Sequence, residues 1–182
     1  MTTPFSHRLT ARAALLCLLA AAVAPLAQAA CNSANIGADT PDARFTVATE
    51  TVTDLATGLV WKRCAEGLSG AACTTGTALT ATWSDALARV ATVNAAGATL
   101  GLGSSDWRLP NRNELASLVE RQCGAPAINA SVFPATPAVS FWTASPYTLN
   151  AALAWYVDYN VGDVAPAAKT GLKAMRLVRA GN

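Results

Sequence analysis

Five cysteines, eleven carboxylates and one histidine are the residues of this 182-residue chain that could carry proton transfer, nucleophilic attack or metal binding. The histidine is His7, and it falls in a segment with the three parts of a secretory signal. Arg8 and Arg12 make a basic start, residues 13–26 form a short apolar stretch, and Ala27-Gln28-Ala29 is a small-x-small cleavage site. Cleavage after Ala29 leaves no imidazole, and so neither the commonest general base nor the commonest metal ligand. It also removes Cys17. Cys31, Cys64, Cys73 and Cys123 remain, an even number in an oxidising compartment. Four cysteines permit three pairings. The expected pairs are Cys64–Cys73, closing a loop rich in Gly, Ser and Thr, and Cys31–Cys123, tying the N-terminus to the body. Zinc is the competing use, but no Cys-x-x-Cys spacing exists and no histidine completes a set. A lipid on Cys31 would call for Leu three places earlier, where Gln28 stands. No metal and no cofactor is expected.

The carboxylates give little more for catalysis. A serine nucleophile lacks its histidine. Glu114 with Asp158 or Asp163 could form a glycosidase pair, yet Glu114 is placed to cap a helix. Asp158 and Asp163 supply few of the six to eight oxygens that calcium takes. Non-catalytic contact fits better. Sugars stack C–H faces on aromatic rings while Asn and Asp take the hydroxyls. Tyr147, Tyr156, Asp158, Asn160 and Asp163 lie in or near turns and on a polar strand face, and are the candidate ligand-binding residues. Trp142 and Trp155 fall on apolar faces and are expected in the core. Asn129-Ala130-Ser131 is a formal glycosylation sequon of no expected consequence.

The elements that must hold these residues follow from pattern. Roughly 150 residues after the signal suffice for one domain. Residues 30–42 read as a lead-in and 43–181 as the domain. The net charge of +2 comes from Arg8 and Arg12, so the processed chain is neutral and shows no basic stripe for nucleic acid. No segment reaches the ~20 apolar residues of a membrane span. Thr82 and Asp85 open a helix with Trp83, Leu87, Val90 and Ala91 on its buried face and Gly97 as its stop. Asn111 and Glu114 open a second, with Leu115, Leu118 and Val119 buried and Gly124 at its end. Thr51–Thr53 and Leu59–Arg63 make a hairpin. Asp106–Leu109, Phe141–Thr143, Leu153–Tyr159 and Lys173–Arg179 read as further strands. Strand, two helices, then strands predicts α+β, not a doubly wound sheet.

Several motifs recur together in one known pattern. They begin with Thr53-Asp54-Leu55-Ala56-Thr57-Gly58-Leu59-Val60-Trp61-Lys62-Arg63-Cys64. Next come Trp107-Arg108-Leu109-Pro110-Asn111 with Glu114-Leu115, then Pro126-Ala127-Ile128-Asn129 with Phe133-Pro134. Phe141-Trp142-Thr143-Ala144-Ser145, Ala154-Trp155-Tyr156-Val157 and Arg176-Leu177-Val178-Arg179 close the set. In this order the chain resembles the bacterial DUF1566 family, the C-terminal domain of the Legionella collagen-like adhesin. The resemblance implies a C-type-lectin-like fold related to the formylglycine-generating enzymes: two helices and a twisted, mainly antiparallel sheet. It also implies an exported, often surface-attached protein. The calcium tripeptides Glu-Pro-Asn, Gln-Pro-Asp and Trp-Asn-Asp are absent, as is a collagen-like stalk. The expectation is a secreted or periplasmic, non-enzymatic domain that recognises carbohydrate or a surface protein through loops 125–140 and 145–172. The alternatives are a structural subunit of a surface assembly and an acidic-residue hydrolase.

Overall fold

The computed structural model describes residues 30–97 and 99–181, so the secretory signal expected over 1–29 lies outside the described residues. In chain order the strands are β1 (Ala30–Cys31), β2 (Phe45–Val47), β3 (Thr51–Asp54), β4 (Leu59–Lys62), β5 (Leu68–Ser69), β6 (Thr75–Gly76) and β7 (Thr80–Ala81). Helices α1 (Trp83–Ala95) and α2 (Arg112–Ala116) follow. Then come β8 (Cys123–Gly124), β9 (Ser140–Pro146), β10 (Leu153–Asp158), β11 (Asp163–Ala168), β12 (Lys173–Ala174) and β13 (Val178–Ala180). The class is α+β with two helices and mainly antiparallel sheets. A four-stranded sheet has the order β13-β4-β3-β2 and a five-stranded one the order β11-β10-β9-β12-β7; β1 pairs with β8, and β5 with β6. Among the described residues, only the contact of β12 with β9 is parallel.

The hairpin β3–β4 turns on Asp54. Its carboxylate accepts from the Ala56 N–H at 3.0 Å and the Thr57 hydroxyl at 2.8 Å, and Gly58 takes φ 71°, a value other residues adopt at a cost. Arg44 Nε and Nη2 close on the same buried carboxylate at 2.8 and 2.6 Å, while Nη1 donates to Ser117 O.

Helix α1 begins at the expected cap, Thr82, whose hydroxyl accepts from the Asp85 N–H. Its buried face differs from expectation. Ala86 and Val93 are buried, Trp83 and Val90 pack partly against the core, and Leu87 and Ala91 face outward. The small Ala86 lets the helix lie close to the sheet, which turns Leu87 away. Gly97 follows the helix without a positive φ, and a Cβ there would meet Ser104 O at 2.3 Å. It is a packing glycine.

Helix α2 keeps its full capping box but stops at Ala116, not near Gly124. Groups from elsewhere take the carbonyls of its last turn: Tyr159 Oη donates to Leu115 O and Arg44 to Ser117 O. The chain then bends so that Val119 bridges Ile128. Leu115, Leu118 and Val119 are buried nonetheless. The strand expected at Asp106–Leu109 is reduced to one bridge, Arg108 with Val178.

Two clusters form the core. One surrounds Trp61, Phe133, Phe141 and Tyr159; the other joins Trp107, Leu109, Trp142 and Met175. Both disulfides have the expected pairing, Cys31–Cys123 and Cys64–Cys73. Buried Glu120 fixes the lead-in, accepting from Asp39 N, Thr40 N and Thr40 Oγ1. Arg176 is wholly buried and donates to the carbonyls of Lys62 and Arg63 and to Thr136 Oγ1. Burial draws its pKa down to about 10, with Tyr159 acting in the opposite sense.

Candidate functional site

The hairpin β9–β10 and the first turn of α2 meet at a small open cleft. Asn111, Arg112, Asn113, Ser145 and Trp155 line about 220 Å³ of space. Trp155 was expected in the core. It is half-buried instead. The register of β9 and β10 shifts between Ala154 and Tyr156, with the extra residues in β9, while β10 stays regularly paired with β11 and carries the indole beside the start of α2. The Arg112 guanidinium lies over its ring at 4.7 Å, and Tyr147 meets it edge-on at 5.2 Å. Alternation over residues 153–159 puts Trp155 on the face of Val157 and Tyr159, but it does not tell that the start of α2 leaves that end of the face open. The signal available was the polar run Asn111-Arg112-Asn113 at the helix start.

The hydrogen bonding of the cleft is lopsided. Asn111 Oδ1 accepts from the Glu114 N–H, Asn113 Oδ1 from Arg112 Nε, and Ser145 Oγ from the Arg112 N–H. Each of those oxygens already holds one donor of the protein. The Nδ2 groups of Asn111 and Asn113, both Nη groups of Arg112, the Ser145 hydroxyl proton and the Trp155 Nε1–H have no partner among the described residues. Among the described residues, no carboxylate lines the cleft. What remains is a set of donors around an aromatic ring.

Of the five residues singled out in the sequence, only Tyr147 reaches this cleft. Tyr156 and Asp158 belong to the opposite face of β10. There Lys173 Nζ stands 3.9 Å from the centre of the Tyr156 ring and 5.1 Å from that of the buried Trp142. Burial pushes the Lys173 pKa down, and Asp158 pulls it back up. Asp158 also shapes the next turn, its Oδ1 accepting from the Asn160 N–H at 2.8 Å. Asn160 and Asp163 are exposed in that turn, Asp163 opposite Asp158 in the ladder. The five residues therefore divide among two faces and a turn.

Glu114 does not stand free for acid catalysis. Arg108 Nη1 and Nη2 clamp Oε2 and Oε1 at 2.8 Å each, and Oε2 also accepts the Asn111 N–H at 2.7 Å. The hydrogen bond from Arg108 is the chief cause of its lowered pKa, the opposite of what a proton donor needs. Among the described residues no three His, Cys, Asp or Glu side chains are grouped to hold a metal ion, and no helix is long and apolar enough to cross a membrane.

A second, larger groove of about 970 Å³ runs between the lead-in, Ala72 and Thr74, and the 120–138 segment. The polar side chains of Glu120 and Asn129 on its wall are bonded within the protein. Asn129 donates to Thr40 O and Asp42 and accepts from Ser131 N and Val132 N, so the sequon asparagine is a structural knot.

No curated protein matches the chain. Residues 50–179, which span the hairpin, both helices and the β9–β13 strands, match the family model described as the Lcl C-terminal domain. The chain belongs to the Lcl C-terminal domain family, the adhesin-type family that its ordered motifs resemble.

Proposed function

We propose that this protein is an exported, non-catalytic recognition domain that binds carbohydrate through the Trp155 cleft. One observation carries the reading: unspent hydrogen-bond donors surround a half-buried indole, and no carboxylate among the described residues lines the site. A sugar ring supplies C–H groups for the indole and oxygens for the donors. The acceptor-rich members of that class, sugars bearing carboxylate or sulfate, suit Arg112 best, since a guanidinium offers two aligned donors to such groups. The adhesin-like family and the two disulfides support a place at or outside the cell surface. A C-type-lectin-like scaffold, as the motifs imply, agrees with a role in which loops recognise a ligand.

The test is a glycan array carrying neutral, carboxylated and sulfated sugars, probed with the purified protein and with Trp155→Ala, Arg112→Ala and Tyr156→Ala. Binding should favour the charged sugars and fall at least tenfold in the first two variants, while Tyr156→Ala retains it. Binding that follows Tyr156 would move the site to the Lys173 face. Silence across the array would remove carbohydrate from the reading and leave a surface protein as the partner.

A further inference from the structure

Of the Trp107-Arg108-Leu109-Pro110-Asn111 motif, only Asn111 lines the cleft. Trp107 and Leu109 are buried, and the segment is tied to β13 by reciprocal bonds, Arg108 N to Val178 O and Val178 N to Arg108 O, both 2.9 Å. Between the two buried side chains, Arg108 reaches toward the cleft without entering it. Its fork holds Glu114, and Glu114 holds Asn111 through the two bonds of the capping box. The cleft donors Asn111, Arg112 and Asn113 are consecutive residues at the start of α2, which has five residues in all. A helix that short does not hold its own geometry. The surroundings must hold it. On the side facing β9, the Arg112 N–H donates to Ser145 Oγ at 3.0 Å and the Ala144 N–H to Pro110 O at 2.7 Å. On the other side the holder is Arg108.

We propose that Arg108 is a positioning residue. It transmits the fixed place of β13 through Glu114 to the Asn111–Asn113 backbone, and so sets the distance between the cleft donors and Trp155. The inference rests on the cleft reading above. The geometry also says which feature of Arg108 matters. Both Glu114 oxygens are engaged at equal distance by a planar fork, an arrangement a lysine ammonium does not reproduce. Charge alone is not enough.

The experiment compares the purified protein with Arg108→Lys, Glu114→Gln and a control, Arg121→Ala, which removes an exposed ion pair with Asp39. Two quantities are read: affinity for a galacturonate tetrasaccharide, and amide hydrogen exchange at Arg112 and Glu114. Arg108→Lys and Glu114→Gln should each weaken binding about 5- to 20-fold and speed exchange at both amides about fivefold. Their melting temperatures should stay within about 3 °C, because a partly exposed ion pair adds little to global stability. Arg121→Ala should move none of these. Undisturbed amides, or full affinity with loosened amides, would overturn the positioning role. Loosened amides in a protein whose wild type ignores the tetrasaccharide would instead remove the carboxylated-sugar reading and keep Arg108 as the holder of α2. If Arg108→Lys does not fold, Glu114→Gln decides alone, since its oxygen keeps an acceptor for the Asn111 N–H while the charge is lost and an NH2 replaces the oxygen that took Arg108 Nη2.

Discussion

Replacing Asp54 by Asn should cost this protein more than its place at the end of a short hairpin strand suggests. The carboxylate is fully buried and accepts four hydrogen bonds, two from Arg44, one from the Ala56 N–H and one from the Thr57 hydroxyl. The asparagine oxygen can stand in for only one carboxylate oxygen; it keeps the Ala56 N–H bond, but an NH2 then replaces the oxygen that took Thr57 and Arg44 Nη2, and the charge is lost. Arg44 is then left without its counterion while its side chain is only 15% exposed. Breaking one partner of a buried pair costs about 3–5 kcal/mol. The partial exposure of Arg44 lets water recover some of that, so about 2–3 kcal/mol is expected. For a domain of this size the loss lowers the melting temperature by roughly 5–10 °C. A double-mutant cycle with Arg44→Met should show a coupling of about 1.5–3 kcal/mol.

The same pair sets an acid limb. Burial by itself would raise the Asp54 pKa, but hydrogen bonds from Arg44, Thr57 and Ala56, with the Arg44 charge, hold it below the usual value. A carboxyl depressed in the folded state stabilises fully above its unfolded pKa of about 3.9, and that contribution is lost as pH falls through the folded value. Urea unfolding measured from neutral pH down to strongly acidic pH should therefore fall more steeply for the wild type than for Asp54→Asn. A variant within about 0.5 kcal/mol of wild type, or a cycle without coupling, would show that the Arg44–Asp54 contact is geometry without energetic weight.

The crosslinks and the sheet edge give two more expectations. Cys31–Cys123 closes a separation of 92 residues and Cys64–Cys73 one of 9, so chain entropy predicts losses of ~4.6 and ~2.6 kcal/mol for the two double-alanine variants. Urea denaturation that ranked them in the reverse order would mean that the packing of buried Cys64 and Cys73 outweighs loop closure. Strand β11 is an edge of the five-stranded sheet. The Trp155 carbonyl points toward β9, where it accepts from Thr143, so the opposite residue, Pro166, places its nitrogen outward. It removes a donor from the open edge. Pro166→Val should thus produce larger species in size-exclusion chromatography with light scattering; a profile identical to wild type would show that the edge needs no such protection.

The local signals in this chain are those that act over a few residues. The Thr82 cap, the Asn111–Glu114 box and the Thr51–Arg63 hairpin are each written in short runs, and each stands where those runs place it. The small loop between Cys64 and Cys73 and the α+β order of elements are legible in the same way. What failed was extrapolation along an element. Periodicity carried α2 toward Gly124, but Tyr159 and Arg44, remote in sequence, take its last carbonyls and end it at Ala116. Alternation puts Trp155 on the face of buried Val157 and Tyr159, but the short α2 leaves that end of the face open, and the indole meets Arg112 there. The candidate site consists of such long-range outcomes. Residues 111–113, 145, 147 and 155 come together only when two strands and a short helix pack. Capping and turn formation are decided by neighbouring backbone groups, so the primary structure suffices to determine them. The exposure of one indole depends on which distant carbonyls and rings compete for the same space, and only the packed protein settles that competition.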